Sequence, residues 1–214
     1  MTLSWLVGVI VGDGHIDDRH VEIYNSSPEI IRKALKILEK LIERERIVID
    51  IYSTKNQKIP KLSRKFTIHF RKSTSPWNFN RPKIRIRVSS KALAEKVKKL
   101  VNNKPQNIRE YIKGLFDAEA SVDLRGRIEF KQKYSEKGKK ITLTVWKYIN
   151  KLKIKTTRIH IKRDNLNKKK DIYFYVTDPE KYERIIGFTH KEKARKLKMI
   201  IKKKKRHLIT RQTR

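Results

Sequence analysis

The sequence contains no cysteine, which excludes a disulfide framework and a cysteine-held zinc centre, so the chain must fold by packing alone. Histidine is scarce too, six residues, and none has the spacing of a metal site. Acidic residues are few: 22 Asp+Glu stand against 56 Lys+Arg, a formal charge of +34. Heat-adapted surfaces balance the two signs in ion-pair networks, and this chain has too few acids to do so. That much charge of one sign opposes compaction unless a polyanion neutralises it. Long hydrophobic runs are also missing. The one uncharged apolar stretch, Leu3 to Gly12, is too short to span a bilayer and is followed by no cleavage-site signature. Positive charge is spread along the whole chain instead of one helix, which argues against a membrane-surface anchor. The expectation is an intracellular, cytoplasmic or nucleoid-associated protein with a nucleic-acid partner and no membrane partner.

What is present is a duplication. In 214 residues there is room for one large domain or two of about 100 residues. Leu3 to Gly12 (LSWLVGVIVG) is apolar on all sides, with Gly8 and Gly12 one helical turn apart. Glycine costs about 1 kcal/mol against alanine inside a helix, so this pair suggests a face on which another backbone packs closely. The partner is Ile108 to Ala120 (IREYIKGLFDAEA), where Gly114 and Ala118 repeat the small residues. Each helix ends in an acid, Asp13 or Glu119. Downstream, Val21 to Asn25 and Ile128 to Gln132 share one alternating pattern, and each leads into a helix, about Pro28–Glu45 and Ser135–Leu152.

Further strands are expected at Ile47–Ser53, Lys65–Arg71 and Lys83–Val88 in the first half, and at Thr157–Lys162 and Ile172–Val176 in the second. Closing helices follow at Ser90–Val101 and Pro179–Ile186, with polar residues before them as caps. The fold class is therefore α+β, an αββαββα unit used twice. The expected halves are 1–101 and 108–189, joined by a linker at 102–107, with an insertion at about 55–81 and a basic helix and tail at 190–214. The tail run Lys202 to Arg206 reads either as a basic tail with nonspecific phosphate affinity or as a simple solvated helix end.

The acids carry the chemistry. At a helix C-terminus the macrodipole disfavours negative charge by about 0.3–1 kcal/mol, so something must offset two such carboxylates. If the glycine faces pack together, Asp13 and Glu119 arrive close to one another. Two carboxylates plus backbone carbonyls form a hard oxygen site suited to Mg²⁺ with several waters retained. Such an ion polarises a phosphodiester, generates hydroxide and stabilises the leaving oxygen.

LVGVIVGDG (Leu6–Gly14) and IKGLFDAEA (Ile112–Ala120) resemble the two motifs of a single-chain LAGLIDADG homing endonuclease, and the likeness runs from about Leu3 to Ile186. Val11 replaces the first acid of one motif, Glu119 stands where Asp is commoner, and Lys113 and Ala120 replace Ala and Gly. The resemblance implies a DNA-binding saddle of two four-stranded antiparallel sheets, with the motif helices packed at the centre. It implies a metal-dependent double-strand break in a long DNA target, with Mg²⁺, or Mn²⁺ in its place, held by Asp13, Glu119 and the carbonyls of Gly12 and Ala118. Asn25 and Gln132 then correspond to the family's polar residue near the metal water, and Lys131 and Lys133 are the candidates for its catalytic basic residues near the site. No protein-splicing segments flank the domain, so an intron-encoded, monomeric protein is expected. The alternative is an intron maturase that binds intron RNA on the same scaffold.

Alternation assigns the DNA-contacting face. Ile84, Ile86 and Val88 face the core while Lys83, Arg85 and Arg87 face outward; Phe66, Ile68 and Phe70 leave Lys65, Thr67, His69 and Arg71 outside. Arg19, Glu22 and Tyr24 complete the first half. The second contributes Arg125, Arg127, Glu129 and Lys131, then Arg158, His160 and Lys162, then Tyr173 and Tyr175. A face mixing Arg, His, Tyr, Glu and Thr has the donors and acceptors to read base edges, which a purely electrostatic surface does not need.

Overall fold

The computed structural model describes residues 2–54, 57–58, 60–62, 65–72, 81–123, 127–163 and 170–212, with side chains described to residue 203. About half of the expected insertion, Arg125 and the end of the basic run from Lys204 lie outside the described residues or side chains. Among the described residues no helix is long and apolar enough to cross a membrane. The chain divides into two compact units, residues 1–118 and 119–214. The sequence repeat and the compact unit are thus different divisions, because the helix that opens the second repeat packs almost wholly within the first unit.

The first unit runs α1 (Leu3–Asp13), β1 (Gly14–Ile16), β2 (His20–Asn25), α2 (Pro28–Leu38), a 3₁₀ turn (Arg44–Arg46), β3 (Ile47–Ser53), β4 (Thr67–Lys72), β5 (Lys83–Ser89), α3 (Lys91–Asn102) and α4 (Ile108–Glu119). Its sheet has the order β1-β2-β5-β3-β4. One side of each strand is apolar, so Ile23, Ile47, Ile49, Ile84, Ile86 and Val88 are buried with Ile30, Ile31 and Leu38 of α2. Asp17 closes the β1–β2 hairpin, its Oδ1 accepting from the amides of Arg19 at 2.7 Å and His20 at 2.6 Å. Those hydrogen bonds outweigh desolvation and hold the Asp17 carboxyl below its ordinary pKa.

Three expectations need correction here. The first sheet has five strands instead of four, because β4 joins β3 in parallel as an added edge strand. Phe66 is buried at its approach, but Phe70 is 65% exposed, since an edge strand paired on one side outruns the core. Helix α2 stops at Leu38 instead of Glu45. Its apolar stripe ends there, and i→i−3 bonds from Lys40 to Ile37 (3.2 Å) and Leu41 to Leu38 (2.9 Å) tighten the chain into the turn that leads to β3.

The second unit contains β6 (Ala120–Val122), β7 (Ile128–Lys133), α5 (Glu136–Lys151), β8 (His160–Arg163), β9 (Lys170–Val176), α6 (Pro179–Ile185) and α7 (Lys191–Gln212). Its sheet is four-stranded and antiparallel, β6-β7-β9-β8. Phe130 and Phe174 pack with ring centroids 5.5 Å apart, and Val145, Ile149, Tyr182 and Leu197 are fully buried in the same unit. Ser90, Ser135 and Asp178 cap their helices, each accepting from the amide three residues on at 3.2, 3.0 and 3.0 Å. The strand expected from Thr157 begins only at His160. The Thr157 amide donates to the Tyr175 carbonyl at 2.8 Å, but the Tyr175 amide donates back to the Thr157 hydroxyl at 3.0 Å. A side chain thus replaces the backbone acceptor, the ladder breaks, and Arg158 lies before the strand, exposed.

Candidate active site and nucleic-acid interface

The glycines of α1 and α4 determine how the two helices meet. A Cβ on Gly8 would strike the backbone of Tyr111 and come within 2.8 Å of the Leu115 nitrogen; on Gly114 it would strike the backbone of Trp5 and come within 3.1 Å of the Val9 nitrogen. Tyr111 and Leu115 hold the same places around Gly114 that Trp5 and Val9 hold around Gly8. The contact is therefore reciprocal, as in an interface with a two-fold axis. Trp5 seals it, donating its indole N–H to Asp117 Oδ2 at 2.9 Å, with both residues buried. Lys33 of α2 stacks over the Trp5 ring at 4.1 Å from the centroid. Burial pulls the Lys33 pKa down against the pull of Glu110 and Asp117.

Asp13 and Glu119 are the last residues of α1 and α4 and are half-buried, as are Gly12 and Ala118. Asn25 on β2 donates from Nδ2 to Asp13 Oδ2 at 2.6 Å, while its Oδ1 accepts from the Ser27 amide at 2.8 Å. The amide is therefore fixed at both ends. Gly14 pairs with Ile23 and Ala120 with Phe130, so Gln132 occupies in the second sheet the register position of Asn25. Its Nε2 is buried without a hydrogen-bond partner. Lys131 instead turns to Asp171, 3.4 Å away, and Lys133 is exposed at the end of β7.

Among the described residues no three His, Asp or Glu side chains cluster into a ready-made metal site. The donor set at each acid is one carboxylate beside helix-end carbonyls, all hard oxygens. This suits an ion that keeps several waters, such as Mg²⁺, and does not suit zinc. The orphaned Gln132 amide is the kind of group that a metal-bound water would satisfy.

The polar faces of the two sheets differ in chemistry. On the first, Glu22, Arg85 and Arg87 are half-buried, whereas Tyr24, Lys83, His69, Arg71, Thr67 and Lys65 are exposed, with Arg19 in the hairpin turn. Arg87 Nε is buried with no hydrogen-bond partner among the described residues. The Tyr24 hydroxyl donates to Glu22, and burial followed by that bond raises its pKa. On the second, His160 stacks on Tyr173 at 5.4 Å, Tyr173 meets Tyr175 edge-on at 5.5 Å, and the Arg127 guanidinium lies 4.5 Å from the Tyr175 centroid. Burial and neighbouring Glu129 raise the Tyr175 pKa. Arg127 also pairs with Asp123 at 3.1 Å, and Lys162 is exposed.

No protein-family model and no curated protein matches the sequence. Solved structures do. Mesophilic variants of the homing endonuclease I-DmoI superpose with a TM-score of 0.57 at 20% identity, covering 86% of this chain and 88% of that one. I-DmoI in complex with DNA and Mn gives 0.55 at 19%, covering 86% and 94%. The N-terminal LAGLIDADG domain of DUF199/WhiA gives 0.51 at 14%, covering 86% and 79%. The chain has the LAGLIDADG homing-endonuclease fold. The two acids near the end of the second acid-ended helix are engaged differently: Asp117 is buried against Trp5, whereas Glu119 ends the helix half-buried. The sequence reading passed over Asp50. It lies on β3 among isoleucines, is fully buried, and holds two arginines. A lone acid inside IVIDIYS was the available signal.

Proposed function

We propose that this protein is a site-specific, divalent-metal-dependent DNA endonuclease that makes a double-strand break in a long target. In this reading Asp13 and Glu119 are the paired acids. The observation that carries it is the pairing of an acid-ended helix crossing with a fixed amide: equivalent carboxylates end both helices, and Asn25 orients one of them at 2.6 Å. A polar stop after an apolar helix would need neither the recurrence nor the amide. A fold does not by itself fix an activity, so the acids carry the distinction.

A bound Mg²⁺, or Mn²⁺ in its place, would supply a polarised phosphate and an activated water. Asp13, Glu119 and the carbonyls of Gly12 and Ala118 would hold it. Asn25 would orient the Asp13 carboxylate through its 2.6 Å hydrogen bond, and Gln132, at the matching register position of the second sheet, would orient a water on the Glu119 side. Lys131 is weakened as a catalytic cation by its pairing with Asp171, so Lys133 is the better-placed of the two lysines. Each polar sheet face would read one half of the target, with the net charge of +34 supplying nonspecific affinity. We propose further that the protein acts as a monomer inside the cell and is encoded within an intron. The test is incubation with a randomised duplex library and Mg²⁺, followed by sequencing of the cut ends. Recovery of one preferred site cut on both strands is the expected result; absence of metal-dependent cutting overturns it.

A further inference from the structure

A line of side chains in register crosses the polar face of the first sheet. Tyr24 of β2 pairs with Arg85 of β5, Arg85 with Asp50 of β3, and Asp50 with His69 of β4. Asp50 is at the middle with 0% exposure, because the longer side chains around it close over its carboxylate. Its Oδ2 accepts from Arg85 Nε at 2.9 Å and Nη2 at 2.6 Å; its Oδ1 accepts from Arg71 Nε at 2.7 Å, with His69 Nδ1 at 3.4 Å.

The two arginines are held in different ways. Arg85 is 18% exposed and engaged on all three nitrogens, since Nη1 also faces Glu22 at 3.6 Å. Arg71 is 48% exposed and is held through Nε alone. Among the described residues its two terminal amines make no hydrogen bond or ion pair, and the edge they form is what pairs bidentately with guanine O6 and N7. A guanidinium fixed at Nε has already lost the freedom that an unsupported arginine must surrender on binding.

We propose that Asp50 is a positioning residue that makes Arg71 a base reader of this sheet and Arg85 an internal strut. The proposal rests on the DNA-binding reading above and names the residue that sets specificity within it. Arg85, the outward reader expected from alternation, is committed to Asp50 and Glu22. Burial works against the Asp50 charge, but the hydrogen bonds from Arg71 and Arg85 outweigh it and keep the carboxyl below its ordinary pKa, so the clamp is charged at neutral pH. The second sheet has no acid at the equivalent position. Its register line is Lys131, Tyr173 and His160, so the effect belongs to one half of the target.

The test is a base-preference profile on duplexes that vary one position at a time, for the wild type, Asp50→Asn, Arg71→Ala and Arg71→Lys. Arg71→Ala should flatten one position by roughly tenfold or more, and Asp50→Asn should flatten the same position while weakening no other. Arg71→Lys keeps the charge and loses the fork, so overall affinity should stay within severalfold while the same preference disappears. This variant leaves Asp50 intact and covers the case in which Asp50→Asn does not fold. Preserved discrimination in a folded Asp50→Asn, or in Arg71→Lys, overturns the proposal while leaving the nuclease reading standing. A wild type that selects no sequence overturns both.

Discussion

Gly8 and Gly114 each lie against the backbone of the opposite helix at matching positions, Gly8 on Tyr111 and Leu115, Gly114 on Trp5 and Val9. Elsewhere in a helix, replacing glycine by alanine stabilises by about 1 kcal/mol. Here the added Cβ would stand 2.8 Å from the Leu115 nitrogen or 2.9 Å from the Trp5 carbonyl carbon, against backbone that has no rotamer to yield. Overpacking of this kind costs about 1–3 kcal/mol or more, so the sign reverses. Gly8→Ala and Gly114→Ala should each lower the denaturant midpoint, and a rise in either would show that the helices do not meet there.

Trp5 and Asp117 predict a separation of roles within one motif. Trp5→Phe removes the indole donor to a carboxylate that is 1% exposed, a loss of about 1–3 kcal/mol. The expected outcome is a lower melting temperature with the metal-dependent cleavage rate, measured well below that temperature, little changed. A large drop in rate at unchanged stability would place Asp117 in the chemistry instead.

Asp13 and Glu119 should behave in the opposite way. Asp13→Asn or Glu119→Gln should abolish double-strand cleavage yet keep DNA affinity within about tenfold, or 1.4 kcal/mol, because phosphate contacts come from the surrounding lysines and arginines. Paired gel-shift and cleavage assays check this, and full cutting by either variant would remove that acid from the site.

Much of this arrangement was legible because duplication makes a local signal test itself. Small residues one turn apart followed by an acid say little once, but their return at Gly114, Ala118 and Glu119 identified a helix pair and its polar end. Alternation likewise located β3, β5 and β9, whose buried side is continuous. Where legibility failed, long-range pairing decided. The parallel docking of β4 on β3 leaves no period in the sequence, and the break before β8 depends on a single hydroxyl, Thr157, replacing a backbone acceptor. Alternation gave the face of Arg85 correctly but could not show that Asp50, across the strand pair, would occupy its guanidinium.

The Asp50 clamp also predicts a pH dependence. Burial raises its pKa, but the hydrogen bonds from Arg71 and Arg85 dominate, so the folded value lies below the ordinary 3.8. The unfolded chain therefore takes up this proton first as acid is added. Stability from the clamp is fully present above about pH 4 to 5 and is lost as pH falls through the folded value. The stability difference between wild type and Asp50→Asn should shrink steadily from about pH 5 to about pH 2. A difference that stays constant across that range would show that the charge on Asp50 does not support the fold.

The two sheet faces should leave separate marks on the target. The first face presents guanidiniums fixed by carboxylates; the second presents tyrosine rings, with Arg127 over Tyr175 and Arg158 exposed before β8. A guanidinium that contacts only phosphate weakens all sequences alike, and each lost phosphate contact lowers the slope of log affinity against log salt by about one. Exposed Arg158, outside the strand ladder, is expected to act in that way. Arg158→Ala should therefore reduce the salt slope and leave the preference profile unchanged. Arg127 is oriented by Asp123 and Tyr175 and is expected to read a base. Arg127→Ala should relax one position by about 1–3 kcal/mol, in the half of the target opposite to the one altered by Arg87→Ala. A titration at several salt concentrations, combined with a preference profile for the three variants, separates these outcomes. If the Arg127 and Arg87 effects fall in the same half, the two faces do not divide the target between them.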